Sequence, residues 1–159
     1  MFQHLRQRFG EEKILEHVQT GDEKDGWKDA YILVKNEALV EVCRHLRNDP
    51  DLVFDMLHCV SGVDYKEYIE SVYHLWSTSK RHWGILKVRV PRDHPTVPSV
   101  VSIWKSADWL ERETYDLMGI VYEGHPDLKR ILLPEEWEGH PLRKDYKAPS
   151  HEALRAKGF

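Results

Sequence analysis

Between Leu52 and Val90 the chain carries three successive segments with the spacing of β-strands, and any fold must pair them in one sheet. Leu52 to Val60 alternates, which predicts Leu52, Phe54, Met56 and Val60 on one face. Tyr68 to Trp76 is rich in β-formers, with Ile69, Val72, Tyr73 and Trp76. Gly84 to Val90 alternates cleanly, so Leu86, Val88 and Val90 point inward while Lys87 and Arg89 point outward. Gly62-Val63-Asp64-Tyr65 suits a hairpin connection between the first two segments.

The flanking segments are helical or irregular. Residues 1–28 read as charged and irregular, except that Phe2, Leu5 and Phe9 have the spacing of a short amphipathic helix. Thr20 to Lys28, with Gly21 and Gly26 among five charges, reads as a loop. Ala30 to Val34 is a short apolar strand. Asn36 is placed to cap a helix with Glu37 in its first turn and Leu39, Val42, Cys43 and Leu46 on its apolar side. Asn48-Asp49-Pro50 stops that helix. Pro91 to Pro98 reads as a proline-rich loop. Ser106 is then placed to cap a helix from Ala107 to Met118, and Gly119 to end it. On this helix Leu110, Thr114, Leu117 and Met118 form one face, and Glu111, Arg112, Glu113 and Asp116 a charged one.

From Ile120 the regular periodicity stops. Pro126, Pro134, Pro141 and Pro149 alternate with aromatic residues Tyr122, Trp137 and Tyr146, a pattern for an extended arm that needs a surface to lie on. The expected fold is α+β: a mostly antiparallel mixed sheet covered by helices on one face. The expected division is a domain over residues 1–119 and an irregular C-terminal arm over residues 120–159, which the family resemblance given below implies to pack on partner subunits.

Composition removes several functional classes. The chain has 159 residues, 41% hydrophobic and 31% charged, and a net charge of −4. That balance suits one globular core and disfavours a nucleic-acid face. No segment approaches the roughly 18 consecutive apolar residues of a membrane span, and the acidic residues Glu11 and Glu12 argue against a transit peptide. Cys43 and Cys59 are the two cysteines, too few for a cluster held by cysteines alone, and both sit in apolar patterns as buried thiols. Nucleotide-binding glycine motifs and the nucleophile-elbow motif are absent.

Three motifs carry chemistry. Glu111-Arg112-Glu113 is either a solvated helix face or an Arg fork with carboxylates that grips a partner; Arg112 and Asp116 can pair across one turn. Glu123-Gly124-His125-Pro126 recurs as Glu138-Gly139-His140-Pro141, fifteen residues later. Two His and two Glu could ligate zinc, but the repeated Gly-His-Pro points rather to stiff turns that orient His and Arg. Arg143-Lys144-Asp145-Tyr146-Lys147 closes a segment in which Asp127 to Lys147 holds five basic and five acidic residues. Balanced charge favours salt bridges with protein over counterion-release binding to nucleic acid.

The stretch Ala107-Asp108-Trp109-Leu110-Glu111-Arg112-Glu113-Thr114-Tyr115-Asp116-Leu117-Met118-Gly119-Ile120 resembles the signature of the 30 kDa subunit family of NADH:quinone oxidoreductase, the respiratory complex I. The likeness continues through Gly124-His125-Pro126-Asp127-Leu128-Lys129-Arg130 to Pro134, and closes on Trp137 to Tyr146. Weaker agreement reaches back to about Leu39. Asp108 and Tyr122 stand where the family usually has Asn and Phe. The resemblance implies a non-catalytic peripheral-arm subunit of a proton-translocating complex. It would bind no cofactor itself, with NADH, FMN, Fe–S clusters and quinone handled by other subunits. Implied partners are the 49 kDa quinone-site subunit, the terminal Fe–S subunit and other peripheral-arm subunits, on the cytoplasmic face of the inner membrane. Candidate interface residues are Glu111, Arg112, Glu113, His125, Arg130, His140, Arg143, Lys144, Asp145 and Tyr146, with Arg130, Arg143 and Lys144 as anchors. Rival readings are the equivalent subunit of a ferredoxin-, deazaflavin- or hydrogenase-linked complex, a free-standing adaptor, and a metallohydrolase built on His125 and His140.

Overall fold

The computed structural model describes residues 1–19 and 29–150, with positions 152, 155 and 158 near the C-terminus. The expected loop over 20–28 lies outside the described residues. The chain begins with helix α1 (Phe2–Phe9), whose Leu5 and Phe9 are buried as their spacing predicts. Strand β1 (Ile14–Val18) follows in a stretch expected to be irregular. It forms because antiparallel pairing with β2 (Tyr31–Val34) satisfies its backbone, a long-range effect that local pattern does not report.

A 3₁₀ turn (Asn36–Ala38) leads into α2 (Leu39–Asn48), which buries Leu39, Val42, Cys43 and Leu46. Asn36 does not cap it: its side-chain amide donates to the Thr96 carbonyl at 3.0 Å instead, tying the turn to a later strand. Strands β3 (Met56–Asp64), β4 (Tyr68–Ser77) and β5 (His82–Pro91) complete a five-stranded sheet in the order β1-β2-β5-β4-β3. Only β2 and β5 run parallel; the other pairs are antiparallel. This is the expected mixed, mostly antiparallel α+β layer. A second, two-stranded parallel pair joins β6 (Thr96–Pro98), inside the expected proline loop, to β7 (Val121–Glu123). Between them lies α3 (Ala107–Met118).

On one side of the sheet, Ile69, Tyr73 and Leu75 of β4 and Leu86, Val88 and Val90 of β5 meet α2 and α3 in a single core. The opposite side is an open concavity of about 540 Å³ lined by Tyr31, Val63, Val72, His74, Ile85 and Lys87. There Glu70, almost fully buried, accepts from Lys87 and Arg89 of the neighbouring strand, each at 3.1 Å.

Strand β3 departs from strict alternation. A bulge between Leu57 and Cys59 resets the period, so Leu57 and Val60 point inward while Met56 is exposed, not aligned with Phe54 and Val60 as expected. Gly62 lies within the strand; the hairpin turn is Tyr65–Lys66–Glu67, closed by the Lys66 N–H on Asp64 Oδ1. The glycine is there for packing, because a Cβ at Gly62 would stand 2.9 Å from Met118 Cγ. Cys43 is buried and free, and burial pushes its thiol well above the ordinary range; Cys59 is half-buried.

The C-terminal boundary is not abrupt. Ile120 and Tyr122, expected to begin the arm, are 0% and 1% exposed in the core. The Tyr122 hydroxyl lies 3.2 Å from Ser71 Oγ and accepts from Thr114 Oγ1 at 2.8 Å, joining β7, β4 and α3.

Candidate functional site

The expected charged face of α3 is largely interior. Glu111 and Asp116 are 0% exposed and Arg112 is 8%; only Glu113 of the Glu-Arg-Glu trio reaches solvent. Three enclosed ionisable side chains on a twelve-residue helix must find fixed polar partners, and each does. Glu111 Oε1 accepts from the Val100 N–H at 2.8 Å and Oε2 from the Ser99 hydroxyl at 2.7 Å. Burial raises its carboxyl to about 7, against the lowering effect of those two bonds. Arg112 does not pair with Asp116. Its Nε donates to the Lys129 carbonyl at 3.3 Å, and its guanidinium lies 4.8 Å from the Trp109 ring centroid. Ser106 does not cap α3; its hydroxyl donates to the Leu57 carbonyl of β3.

Asp116 fixes the arm. Its Oδ2 accepts the successive backbone N–H groups of Ile131, Leu132 and Leu133 at 3.0, 2.8 and 3.0 Å. Its Oδ1 accepts from Arg130 Nη1 at 2.7 Å. Burial works to raise this carboxyl, but the three N–H groups and Arg130 outweigh it and hold it below its ordinary value.

The last turn of α3 contains no basic residue, although an α-helix ends with orphan carbonyls and partial negative charge. The arm supplies what is missing. The Gly119 N–H, at φ 71°, closes on the Tyr115 carbonyl. Asp116 O accepts from Arg130 Nη1 and from His140 Nδ1. Leu117 O accepts from the Leu142 N–H at 3.0 Å, and Met118 O from Arg143 Nε at 2.8 Å. Every one of the last four carbonyls is thereby satisfied. Gly119 is required twice over, because a Cβ there would also stand 2.5 Å from the His140 ring.

The two Gly-His-Pro copies act at opposite ends of α3. Gly124 and Gly139 both adopt positive φ, 80° and 83°, so each turn needs its glycine. His125 accepts the Asp127 N–H on Nδ1, which leaves its proton on Nε2 facing the Asp108 carbonyl at 3.1 Å. His140 uses its other nitrogen, donating from Nδ1 to the Asp116 carbonyl at 3.0 Å. Carbonyls eight residues apart on a helix are about 12 Å apart, so His125 and His140 do not converge, and the two-histidine metal centre is set aside.

A second clamp holds the end of the arm. Arg92 binds buried Asp64 with Nε at 3.0 Å and Nη2 at 2.9 Å, and turns its outer edge to Asp145, with Nη1 at 3.1 Å and Nη2 at 2.6 Å. Asp64 Oδ2 also accepts the Lys144 N–H at 2.9 Å. The Arg92 guanidinium holds the Asp64 carboxyl far below the usual carboxylate range. Sequence reasoning overlooked Asp64, Arg92 and Asp116 in this role. Asp116 carried a clue, an acid in the last turn of a helix, where the helix dipole disfavours negative charge. Asp64 and Arg92 sat in a turn and a loop where charges are ordinary.

The expected anchors Arg130 and Arg143 thus use their guanidinium groups within the chain. Lys144 keeps an exposed side chain, its ammonium 5.8 Å from the Tyr65 ring, and Tyr146 is half-buried with its ring against Gly139. Surface on the helix-and-arm unit is apolar at Trp109, Leu132 and Leu142, which are 63%, 60% and 59% exposed. No helix among the described residues is long and apolar enough to cross a membrane.

Comparison with known proteins covers both the domain and the arm. The family model described as the respiratory-chain NADH dehydrogenase 30 kDa subunit matches residues 32–152. A NADH-quinone oxidoreductase subunit from Saccharopolyspora erythraea is 53% identical over 117 residues, spanning 71% of this chain and 47% of that one. Its namesake from Roseiflexus castenholzii is 48% identical over 127 residues, spanning 78% and 73%. The chain therefore spans about half the length of the first relative. A trypsin-resistant fragment of Nqo5 superposes with a TM-score of 0.58 at 34% identity, over 65% of this chain and 85% of that one. A chain of an archaeal membrane-bound sulfane sulfur reductase superposes over 98% of this chain and 87% of that one with a TM-score of 0.73; at 21% identity this is a likeness of fold.

Proposed function

The chain belongs to the 30 kDa subunit family of the respiratory-chain NADH dehydrogenase, and from that premise we propose that it is a scaffolding subunit of an NADH:quinone oxidoreductase. In this reading it holds no redox group. Electrons pass from NADH through FMN and Fe–S centres to quinone in other subunits, and this chain braces the subunits around the quinone site. Its partners are the quinone-site subunit and the terminal Fe–S subunit, and it meets the membrane, at the cytoplasmic face, through them.

The observation that carries the proposal is the unit formed by α3 and the arm. Arg130, Arg143 and the Lys144 N–H of the arm are engaged with α3 and β3, while Trp109, Leu132 and Leu142 stay open to solvent. A rigid framework that displays large apolar side chains has the character of a protein interface. Trp109, Glu113 and Leu117 follow one another at four-residue spacing along one flank of α3, and Leu142 is bonded to Leu117. Within the sequence-derived set, Glu113, Lys144 and Tyr146 remain for contact with partners, whereas both carboxylate oxygens of Asp145 are taken by Arg92. Glu111, Arg112, Arg130, His125, His140 and Arg143 set the shape of the surface that they present.

Affinity purification of the tagged full chain from detergent-solubilised membranes, with mass spectrometry, tests the proposal. Co-purification of Fe–S, quinone-site and NADH-binding subunits with NADH:quinone reductase activity is the expected result. Recovery of the chain without such subunits refutes it.

A further inference from the structure

The start of the chain meets the end of α2 through three side chains that converge on one point. His4 Nε2 lies 2.9 Å from His45 Nε2, and Asp49 Oδ2 lies 3.3 Å from the first and 3.5 Å from the second. Among the described residues this is the one group of three His, Cys, Asp or Glu residues whose ligand atoms all approach within 4.8 Å. A tetrahedral zinc ion with bonds of roughly 2.05 Å to N and O ligands separates neighbouring ligand atoms by about 3.3 Å. The observed spacings bracket that value.

The site is held in place by its surroundings. His45 and Asp49 stand one turn apart at the C-terminal end of α2, and their side chains are only 11% and 12% exposed. Asp49 Oδ1 accepts the Asp51 N–H at 2.9 Å, which turns Oδ2 toward the histidines. The His45 ring stacks on His4 with an interplanar angle of 6° and takes the edge of Phe9 at 5.4 Å. His4, at 45% side-chain exposure, is the most exposed of the three.

We propose that His4, His45 and Asp49 form a site for a divalent zinc ion that fastens α1 to the end of α2. Two imidazoles and one carboxylate suit zinc better than calcium or magnesium, which prefer all-oxygen sets. The test uses the full chain and zinc alone, by calorimetric titration, with cobalt substitution as a spectroscopic check on geometry. One equivalent is expected to bind, with tetrahedral cobalt bands and a higher melting temperature in zinc. His4→Gln alters an exposed side chain, and Asp49→Asn keeps the oxygen that accepts the Asp51 N–H. Each is expected to weaken zinc at least about tenfold, the loss that even outer-shell changes produce, and to abolish the thermal shift. His94→Gln, at an exposed histidine elsewhere, leaves both unchanged. Binding that is absent in the full chain, or equal in wild type and both site variants, overturns the proposal and leaves a hydrogen-bonded trio only.

Discussion

Replacing Asp116 by asparagine tests the account of how the arm is held. Four donors meet this side chain: the N–H groups of Ile131, Leu132 and Leu133 on Oδ2, and Arg130 on Oδ1. An amide of the same size has one acceptor. If its oxygen faces the three N–H groups, its NH2 faces Arg130 Nη1 across 2.7 Å, donor against donor. The reverse orientation strands three backbone groups. A lost hydrogen bond to a charged group costs about 1.5–3 kcal/mol, so Asp116→Asn should lose about 2–3 kcal/mol despite its near-identical shape. Asp116→Ala also leaves Arg130 without its carboxylate in a mostly buried site, and should lose about 3–5 kcal/mol. Urea unfolding followed by far-UV circular dichroism measures both. Limited trypsin digestion reports the local effect, because Lys129 and Arg130 become cleavable once the turn at 131–133 is released. An asparagine variant within about 0.5 kcal/mol of wild type, with unchanged protection at these two residues, would refute the reasoning.

Other outcomes follow from the same contacts. Gly119→Ala places a Cβ 2.5 Å from the His140 ring at φ 71°, and should cost about 1–3 kcal/mol with faster proteolysis of the arm; an unchanged melting temperature counts against the double requirement. Glu111, raised from 4.5 to about 7, favours its neutral form in the folded chain. Its contribution is therefore fully present below pH 4.5 and lost as pH rises through about 7, a change of about 3 kcal/mol. In Glu111→Gln that part of the pH dependence should vanish, as unfolding titrations between acid and mildly alkaline pH will show. Asp64 behaves oppositely: with its folded pKa depressed below the ordinary 3.8, its contribution is present above that value and lost on acidification. Arg92→Ala should flatten the acid limb and loosen Asp145; an acid limb of wild-type steepness would contradict this. Leu142→Asp, at an exposed position, should leave the melting temperature unchanged while reducing recovery of the chain with the proposed partner subunits. Full recovery would remove Leu142 from the interface.

Local pattern alone determined much of this protein. The strands at Tyr68–Ser77 and His82–Pro91, the buried row of α2, and the end of α3 at Gly119 are written in short-range periodicity and in the conformational freedom of glycine. The motif from Ala107 to Tyr146 was sufficient to place the chain in its family, because a long specific string needs no geometry to be recognised. What the motif does physically was hidden. Glu111, Arg112 and Asp116 look like a solvated face, since helical spacing says which residues share a side but not what arrives to cover it. Val100 from one loop, Lys129 from another and the 131–133 turn cover them. Asp64 and Arg92, 28 residues apart in sequence, became a clamp only when the end of β3 met the residue that follows β5. The bulge in β3 and the strand β1 likewise depend on partners elsewhere in the chain. Sequence thus supplied the elements and the family, and tertiary structure decided which charges lie inside, because burial is a property of what packs together and not of any residue alone.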